Sequence, residues 1–190
     1  MNRTELDTVV SGSLADQARA NNTSIAESFL NADLVVIVDT SGSMGATDSR
    51  GGHSRYDVAC TELADLQQGM PGKVAVIAFS SDTIFVPGGV PPYLEGSTNL
   101  AGALQFARVA DTPGMRFVVI SDGQPDDSSA ALAEASKYTN RIDTIYVGPE
   151  TDRLSRKFLE QLAKASGGQS VSADRAQELA ASIQSLLLSA

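Results

Sequence analysis

The sequence contains little of what most metal and redox sites are built from. Among 190 residues there is one cysteine, Cys60, and one histidine, His53, and tryptophan is absent. A single cysteine excludes an internal disulfide and any zinc site with several thiolates, and a single histidine excludes most imidazole sites and proton relays. Oxygen atoms therefore remain as the main ligands with which this chain could hold a metal ion.

Positive charge and long apolar runs are also scarce. Lys and Arg total 14 against 23 Asp and Glu, and the resulting formal net charge of −9 disfavours binding to nucleic acid or anionic lipid. No apolar run approaches the roughly 18 residues that a membrane span needs. The first ten residues hold two acidic side chains and lack the apolar core of an export signal. We therefore expect a soluble, cytoplasmic protein that binds neither nucleic acid nor membrane.

The composition that is present is that of a folded α/β protein. Hydrophobic residues make up 42% and charged residues 19%, as in a globular domain of ordinary size. From residue 33 onward, short apolar runs alternate with longer amphipathic stretches, which predicts a doubly wound, mainly parallel six-stranded sheet with helices on both faces. The predicted central strands are 34–38, 74–79, 117–120 and 142–147, and the weaker strands are 83–86 and 169–172.

The predicted sheet has the Rossmann-like strand order 3-2-1-4-5-6. Strand 83–86 is expected to be an antiparallel edge strand, because its link to strand 74–79 is too short for a crossover helix. Helical spacing places Leu154, Phe158 and Leu162 on one helix face, and it predicts a last helix over 176–186. Residues 1–32 are predicted to form an N-terminal helical arm, with a partly disordered tail as the alternative, and residues 33–190 form the main domain.

The segment in which chemistry concentrates begins where the first predicted strand ends. Asp39, Ser41 and Ser43 offer a carboxylate and two hydroxyls at alternating positions, on a loop that glycines allow to turn tightly. Short oxygen-bearing side chains suit a hard cation such as Mg²⁺, which prefers about six oxygen ligands and keeps some of its waters. These three residues alone would form part of such a shell.

The predicted topology brings two further oxygen-bearing residues to the same place. If strand 117–120 lies beside strand 34–38, Asp122 faces Asp39 across the crevice at the carboxyl ends of the strands. Thr98 precedes a predicted helix and could approach from a third loop. The sequence therefore predicts a metal site made from three loops.

These residues resemble a known family. Asp39-x-Ser41-x-Ser43, Thr98 and the Ser-Asp-Gly triplet that contains Asp122 are similar, in order, to the metal-ion-dependent adhesion site of von Willebrand factor A (VWA) domains. The resemblance covers about residues 33–188. It implies that hydroxyls of the serines and the threonine contact Mg²⁺, Mn²⁺ or Ca²⁺, while Asp39 and Asp122 bind it directly or through water.

The same resemblance implies a non-enzymatic function. In VWA domains of this kind, an Asp or Glu carboxylate from a protein partner completes the coordination of the metal. Bacterial-type intracellular members often act as adaptors in multi-protein systems, some of them beside AAA-type ATPases. The resemblance therefore implies a metal-dependent protein-binding module.

Two other functions and a purely structural explanation remain open at this point. A Mg²⁺-dependent phosphotransferase could use Asp39 as nucleophile, although haloacid dehalogenase-like enzymes carry a second aspartate where Ser41 stands. A structural component of a larger particle could use the same site as a static contact. Alternatively, Ser41 and Ser43 only form a turn, Thr98 is a helix N-cap and Asp122 stabilises a strand end. Their joint placement favours the metal site.

Two neighbouring segments carry further charged residues. Asp126 and Asp127 could be outer carboxylates of the metal site, but capping of the next helix is the favoured interpretation. The long 46–56 segment could shape a specificity surface beside the metal, but a solvated loop is the favoured interpretation. Its residues with this potential are Arg50, His53 and Arg55.

Overall fold

A computed structural model of the chain describes residues 9–173. Their strands are β1 Leu34–Asp39, β2 Val74–Phe79, β3 Thr83–Phe85, β4 Arg116–Ser121, β5 Ile142–Tyr146 and β6 Ser170–Ser172. They form one sheet in the order β3-β2-β1-β4-β5-β6. The β2–β3 pairing is antiparallel and the other pairings are parallel. The predicted strand order and the antiparallel edge strand are therefore confirmed.

Helices cover both faces of this sheet, as predicted. They are α1 Leu14–Asn21, α2 Ile25–Leu30, α3 Arg55–Gly69, α4 Leu100–Ala107, α5 Ser128–Ala135 and α6 Arg153–Ala165. Helix α3 packs on the face that contains Val36 and Val38. Helices α4, α5 and α6 pack on the opposite face, which contains Val35 and Ile37. Since both faces are covered, β1 and β2 are buried along their whole length and consist almost entirely of apolar residues.

The spacing that predicted the helix faces holds except at one residue. Phe158 and Leu162 of α6 are buried, but Leu154 is 82% exposed. The buried stripe of α6 passes instead through Ser155 and Leu159, which lie about 100° or more around the helix axis from Leu154. Leu154 therefore lies in the first turn of α6 on its solvent side.

Residues 9–32 form short helices that pack on the sheet. Leu14 of α1 is 1% exposed and belongs to the core on the α4 side. Helix α2 begins with a capping box, in which Ser24 and Glu27 exchange hydrogen bonds between their side chains and backbone amides. The division at residue 32 stays a prediction, and the predicted helix over 176–186 lies outside the described residues. Within residues 9–173, no helix is both long and apolar enough to cross a bilayer.

Candidate metal site

The candidate ligands lie at the carboxyl ends of two adjacent parallel strands. Asp39 is the last residue of β1, and Asp122 comes directly after β4, which pairs with β1. Ser43 lies in the 3₁₀ turn Gly42–Gly45 that follows β1, Ser41 directly precedes that turn, and Thr98 lies in the loop before α4. The topology therefore brings the three loops to one edge of the sheet, as the sequence predicted.

Asp39 is a buried carboxylate whose hydrogen-bond donors are neutral. The residue is 0% exposed. The Ser121 hydroxyl donates to its Oδ2 at 2.7 Å, and the Ser41 amide donates to its Oδ1 at 3.0 Å. Burial, followed by the negative charge of Asp122, raises the pKa of Asp39 to about 6. A cation beside this carboxylate would offset both effects.

The hydroxyls of Ser41 and Ser43 lie side by side. Their Oγ atoms are 3.4 Å apart. Ser41 is buried while Ser43 is half-buried, so the hydroxyl of Ser43 lies nearer the surface than that of Ser41. Ser41 precedes the 3₁₀ turn but its side chain makes no capping hydrogen bond. Capping therefore does not account for the hydroxyl of Ser41.

The loop that carries Thr98 is joined to the loop after β1 by two backbone hydrogen bonds. The Glu95 amide donates to the Thr40 carbonyl at 3.0 Å, and the Gly42 amide donates to the Gly96 carbonyl at 3.1 Å. Thr98 itself is 6% exposed. These bonds hold the Thr98 loop beside the serine turn.

The explanation of Thr98 as a helix cap is wrong. The N-cap of α4 is the next residue, Asn99, whose side chain accepts a hydrogen bond from the Gly102 amide. Thr98 is held instead by Asp126: the Thr98 amide donates to the Asp126 carboxylate at 2.9 Å, and the Asp126 amide donates to the Thr98 carbonyl at 3.0 Å. Asp127 caps α5, as the sequence favoured. Asp126 therefore positions a candidate ligand, a role that the helix-capping interpretation missed.

A buried arginine contacts Asp122. Nη1 of Arg55 lies 2.7 Å from Oδ2 of Asp122, and Arg55 also binds both carboxylate oxygens of Asp48 at 2.8 Å. Arg55 is 7% exposed. The interpretation of the 46–56 segment as a solvated loop is therefore wrong for this residue. His53 in the same segment is exposed.

The donor set fits a hard divalent cation. Among residues 9–173, no three His, Cys, Asp or Glu side chains are grouped as metal ligands, so a cation here would depend on hydroxyls together with two carboxylates. Hydroxyl and carboxylate oxygens are the ligands of Mg²⁺, Mn²⁺ and Ca²⁺. Arg55 contacts Oδ2 of Asp122, and the Gln124 amide donates to Oδ1 at 3.3 Å, so a cation or a water bound to it would share Oδ1 with that amide. The assignment of the five residues as ligands stays a prediction.

The strand order and the helices on both faces define a VWA-like α/β fold, and solved structures similar to this chain share it. An aerotolerance-related membrane protein from Bacteroides fragilis is 19% identical, with a TM-score of 0.64 over 83% of this chain and 98% of the other. Manganese-loaded TRAP protein from Plasmodium vivax is 16% identical, with a TM-score of 0.60 over 81% and 73%. A von Willebrand factor type A structure from Catenulispora acidiphila is 17% identical, with a TM-score of 0.54 over 81% and 41%.

These similarities concern the fold, because identities below 20% carry no information about individual site residues. No family model and no curated protein matches the sequence. The structure therefore resembles VWA domains in architecture, while the chemistry of the site has to be argued from the residues of this chain.

Proposed function

We propose that this chain is a metal-dependent protein-binding module. A divalent cation, Mg²⁺, Mn²⁺ or Ca²⁺, would be held by Asp39, Ser41, Ser43, Thr98 and Asp122, and an Asp or Glu carboxylate of a protein partner would complete its coordination. The observation that carries the proposal is the fully buried carboxylate of Asp39, which faces Asp122 and receives hydrogen bonds only from neutral donors among the described residues.

A buried carboxylate in this setting is costly without a cation. Removing a charge from water costs several kcal/mol unless the charge is paired, and a second carboxylate nearby adds to the cost. Two hydrogen bonds recover part of this free energy. A divalent cation between the two strand ends would stabilise both carboxylates at once. The burial of Asp39 is therefore better explained by cation binding than by a role in the turn.

The neutral part of the donor set favours an anionic partner. Three of the five candidate ligands are uncharged hydroxyls, so the cation would receive less negative charge than in an all-carboxylate site and would attract a further anionic oxygen. Ser43 is half-buried and reaches the surface. A carboxylate of a partner could approach from that side.

The similar structures support the coarser part of this proposal. The Plasmodium vivax TRAP structure carries manganese, which fits a VWA-like fold that binds a divalent cation. A role as a cytoplasmic adaptor, with an AAA-type ATPase as one kind of partner, also belongs to the proposal. This role is supported by the acidic composition and by the sequence resemblance. The similar structures do not add support for a cytoplasmic location, because they include a membrane protein.

Metal titration of matched variants tests the proposal. Isothermal calorimetry of chelator-treated protein with MnCl₂ and MgCl₂ should show binding to the wild type and at least about tenfold weaker binding to Asp39→Ala, because the variant lacks a charged ligand. Asp65→Ala is the control, since Asp65 is an exposed aspartate of α3 away from the site. Equal titrations of wild type and Asp39→Ala would contradict the metal site.

A second measurement tests the place kept for a partner's carboxylate. In Mn²⁺-loaded protein, acetate should displace a metal-bound water and lower the proton relaxation rate of the solvent, while neutral acetamide at the same concentration should not. If acetate has no effect, the cation has no position open to a carboxylate. Hydrolysis of p-nitrophenyl phosphate that is lost in Asp39→Asn would instead establish a phosphotransferase.

A further inference from the structure

One basic side chain lies against the candidate metal ligands. Arg55 contacts Asp122 at 2.7 Å, and both residues are buried, with Asp122 0% and Arg55 7% exposed. Ion pairs at the surface are weakened by water and salt, whereas a pair this deeply buried interacts strongly and is costly to break. Arg55 is therefore a fixed part of the environment of the site.

Asp48 holds the guanidinium in place from the other side. Nε and Nη2 of Arg55 each lie 2.8 Å from one carboxylate oxygen of Asp48, which is the two-point geometry that arginine forms with carboxylates. Nη1 is left to donate to Asp122. Because Asp48 lies in the loop before α3 and its side chain is 46% exposed, it can fix the arginine while water screens its own charge.

We propose that Arg55 is a built-in counter-ion of the metal site, which pairs with Asp122 and keeps the metal-loaded site from carrying a net negative charge that would repel a partner's carboxylate. This inference rests on the proposed function. It assigns to Arg55 the selection of an anionic partner, which the VWA-like fold by itself does not assign.

Formal charges show how Arg55 changes the affinity of the site for the metal ion and for a carboxylate. Asp39, Asp122 and Asp48 contribute three negative charges, and Arg55, which contacts both Asp122 and Asp48, contributes one positive charge. A divalent cation then brings this group to zero, and a carboxylate of a partner brings it to −1. Without Arg55, the metal-loaded group already carries −1, and the same carboxylate brings it to −2. Arg55 therefore weakens the binding of the metal alone and strengthens the binding of the anionic ligand.

A purely structural role for Arg55 predicts the opposite result. If the arginine only anchors the 46–56 loop and orients Asp122, its removal should loosen a metal ligand and weaken the binding of the metal. If it acts as counter-ion, its removal should relieve repulsion and tighten the binding of the metal. The direction of the change in Kd separates the two roles.

Mn²⁺ titration of Arg55→Gln gives that direction. We expect the Kd for Mn²⁺ to fall about tenfold, because a positive charge a few ångströms from the ion is lost. Arg55→Lys keeps the charge and should stay close to the wild type. Arg19→Gln is the matched control, because it removes an exposed arginine of α1. Helix α1 lies at the other end of the strands from the metal site: its residue Gln17 lies beside Gly72, which precedes β2. The affinity of Mn²⁺-loaded Arg55→Gln for acetate should fall severalfold.

The Asp122→Asn background keeps the test decisive if Arg55→Gln alone does not fold. Asp122→Asn should weaken Mn²⁺ binding, and the double variant Asp122→Asn/Arg55→Gln should recover about tenfold of the loss, since the positive charge that repels the ion is then removed. Unchanged or weaker Mn²⁺ binding on removal of Arg55 from a folded protein would overturn the inference while the proposed function stands. If neither the wild type nor the Arg55 variants bind Mn²⁺, both are overturned.

Discussion

At the scale of single residues, Asp39 determines how the candidate site responds to pH. Its ordinary pKa is 3.8, and burial and the nearby Asp122 raise it to about 6 in the folded protein. Because the folded pKa is above the unfolded one, the folded protein holds this proton more tightly. The contribution of Asp39 to the stability of the metal-free protein is therefore complete below about pH 4 and is lost as the pH rises through about 6.

Substitution of Asp39 by asparagine should remove the free-energy cost of keeping an ionised carboxylate buried. With chelator present, Asp39→Asn should be more stable than the wild type at pH 8, and its advantage in free energy of unfolding should shrink by about 1 to 2 kcal/mol at pH 5. Urea denaturation at the two pH values measures the difference. Asp65→Asn, at an exposed position, should show no such change. A constant difference between Asp39→Asn and wild type would argue against a buried ionised carboxylate.

At this scale, the sequence predicts which residues lie close together when strand order determines it. It does not predict which of several suitable side chains makes a given contact. That Asp39 and Asp122 come close follows from strand order alone. Thr98 and Asn99 are both good helix caps, and nothing in the sequence shows that the second one is used. Arg55 and Asp122 are 67 positions apart, and no pattern connects them.

At the scale of elements, the turn after β4 depends on Gly123. This residue has a φ of +76°, and a Cβ added to it would lie 2.4 Å from the carbonyl oxygen of Ser155 in the first turn of α6. The turn therefore lies directly on the backbone of α6, at the point where Asp122 leaves the strand. An added methyl group must move either the turn or the helix.

Gly123→Ala should therefore be strongly destabilising. We expect a loss of about 2 to 4 kcal/mol in free energy of unfolding, part of it from the backbone conformation and the rest from the clash. Gly114→Ala separates the two contributions, since Gly114 has a φ of +89° but no atom within 4 Å of the added carbon. Its cost should be about 1 kcal/mol. Equal losses in the two variants, measured by urea denaturation, would show that contact with α6 does not matter.

The elements themselves were largely predictable because their patterns are local. The six strands were expected within a few residues of their bounds, since continuous apolar runs report burial on both faces. The side of a helix that becomes buried is less certain: Leu154 fits the spacing of α6, yet it is exposed. That outcome depends on how the helix is rotated on the sheet, which the sequence of the helix alone does not determine.

At the scale of the whole molecule, the described residues also form an apolar surface, whose chemistry differs from that of the metal site. A cavity of about 630 Å³ lies between α2 and the end of α4. Three large apolar side chains at its rim are exposed: Leu30 by 82%, Phe106 by 45% and Val109 by 85%. Contiguous apolar surface of this kind attracts other apolar molecules.

Leu30→Ser should reduce that attraction without affecting stability. Fluorescence of the dye ANS with the folded protein should fall, while the free energy of unfolding should stay within about 0.5 kcal/mol of the wild type. Leu154→Ser removes a leucine of the same exposure outside the cavity lining and should leave dye fluorescence unchanged. If both variants reduce fluorescence equally, the cavity is not where the dye binds.

Strand order was predictable at this scale, but the apolar cavity was not. Doubly wound sheets follow few topological rules, so the order 3-2-1-4-5-6 could be expected from the alternation of elements. The cavity is formed by residues from α2, β2, β3, α4 and the turn after α4, and their exposure depends on how those elements meet. Such surfaces become visible only in the assembled fold.

The two border strands of the sheet, β3 and β6, contain three residues each. So short a border offers few free amide and carbonyl groups, and it is a poor template for a strand from another molecule. Growth of the sheet by β-augmentation, and stacking of copies into cross-β aggregates, is therefore disfavoured at both margins. Within residues 9–173, a partner is therefore expected to bind through loops and helices and not through the edges of the sheet.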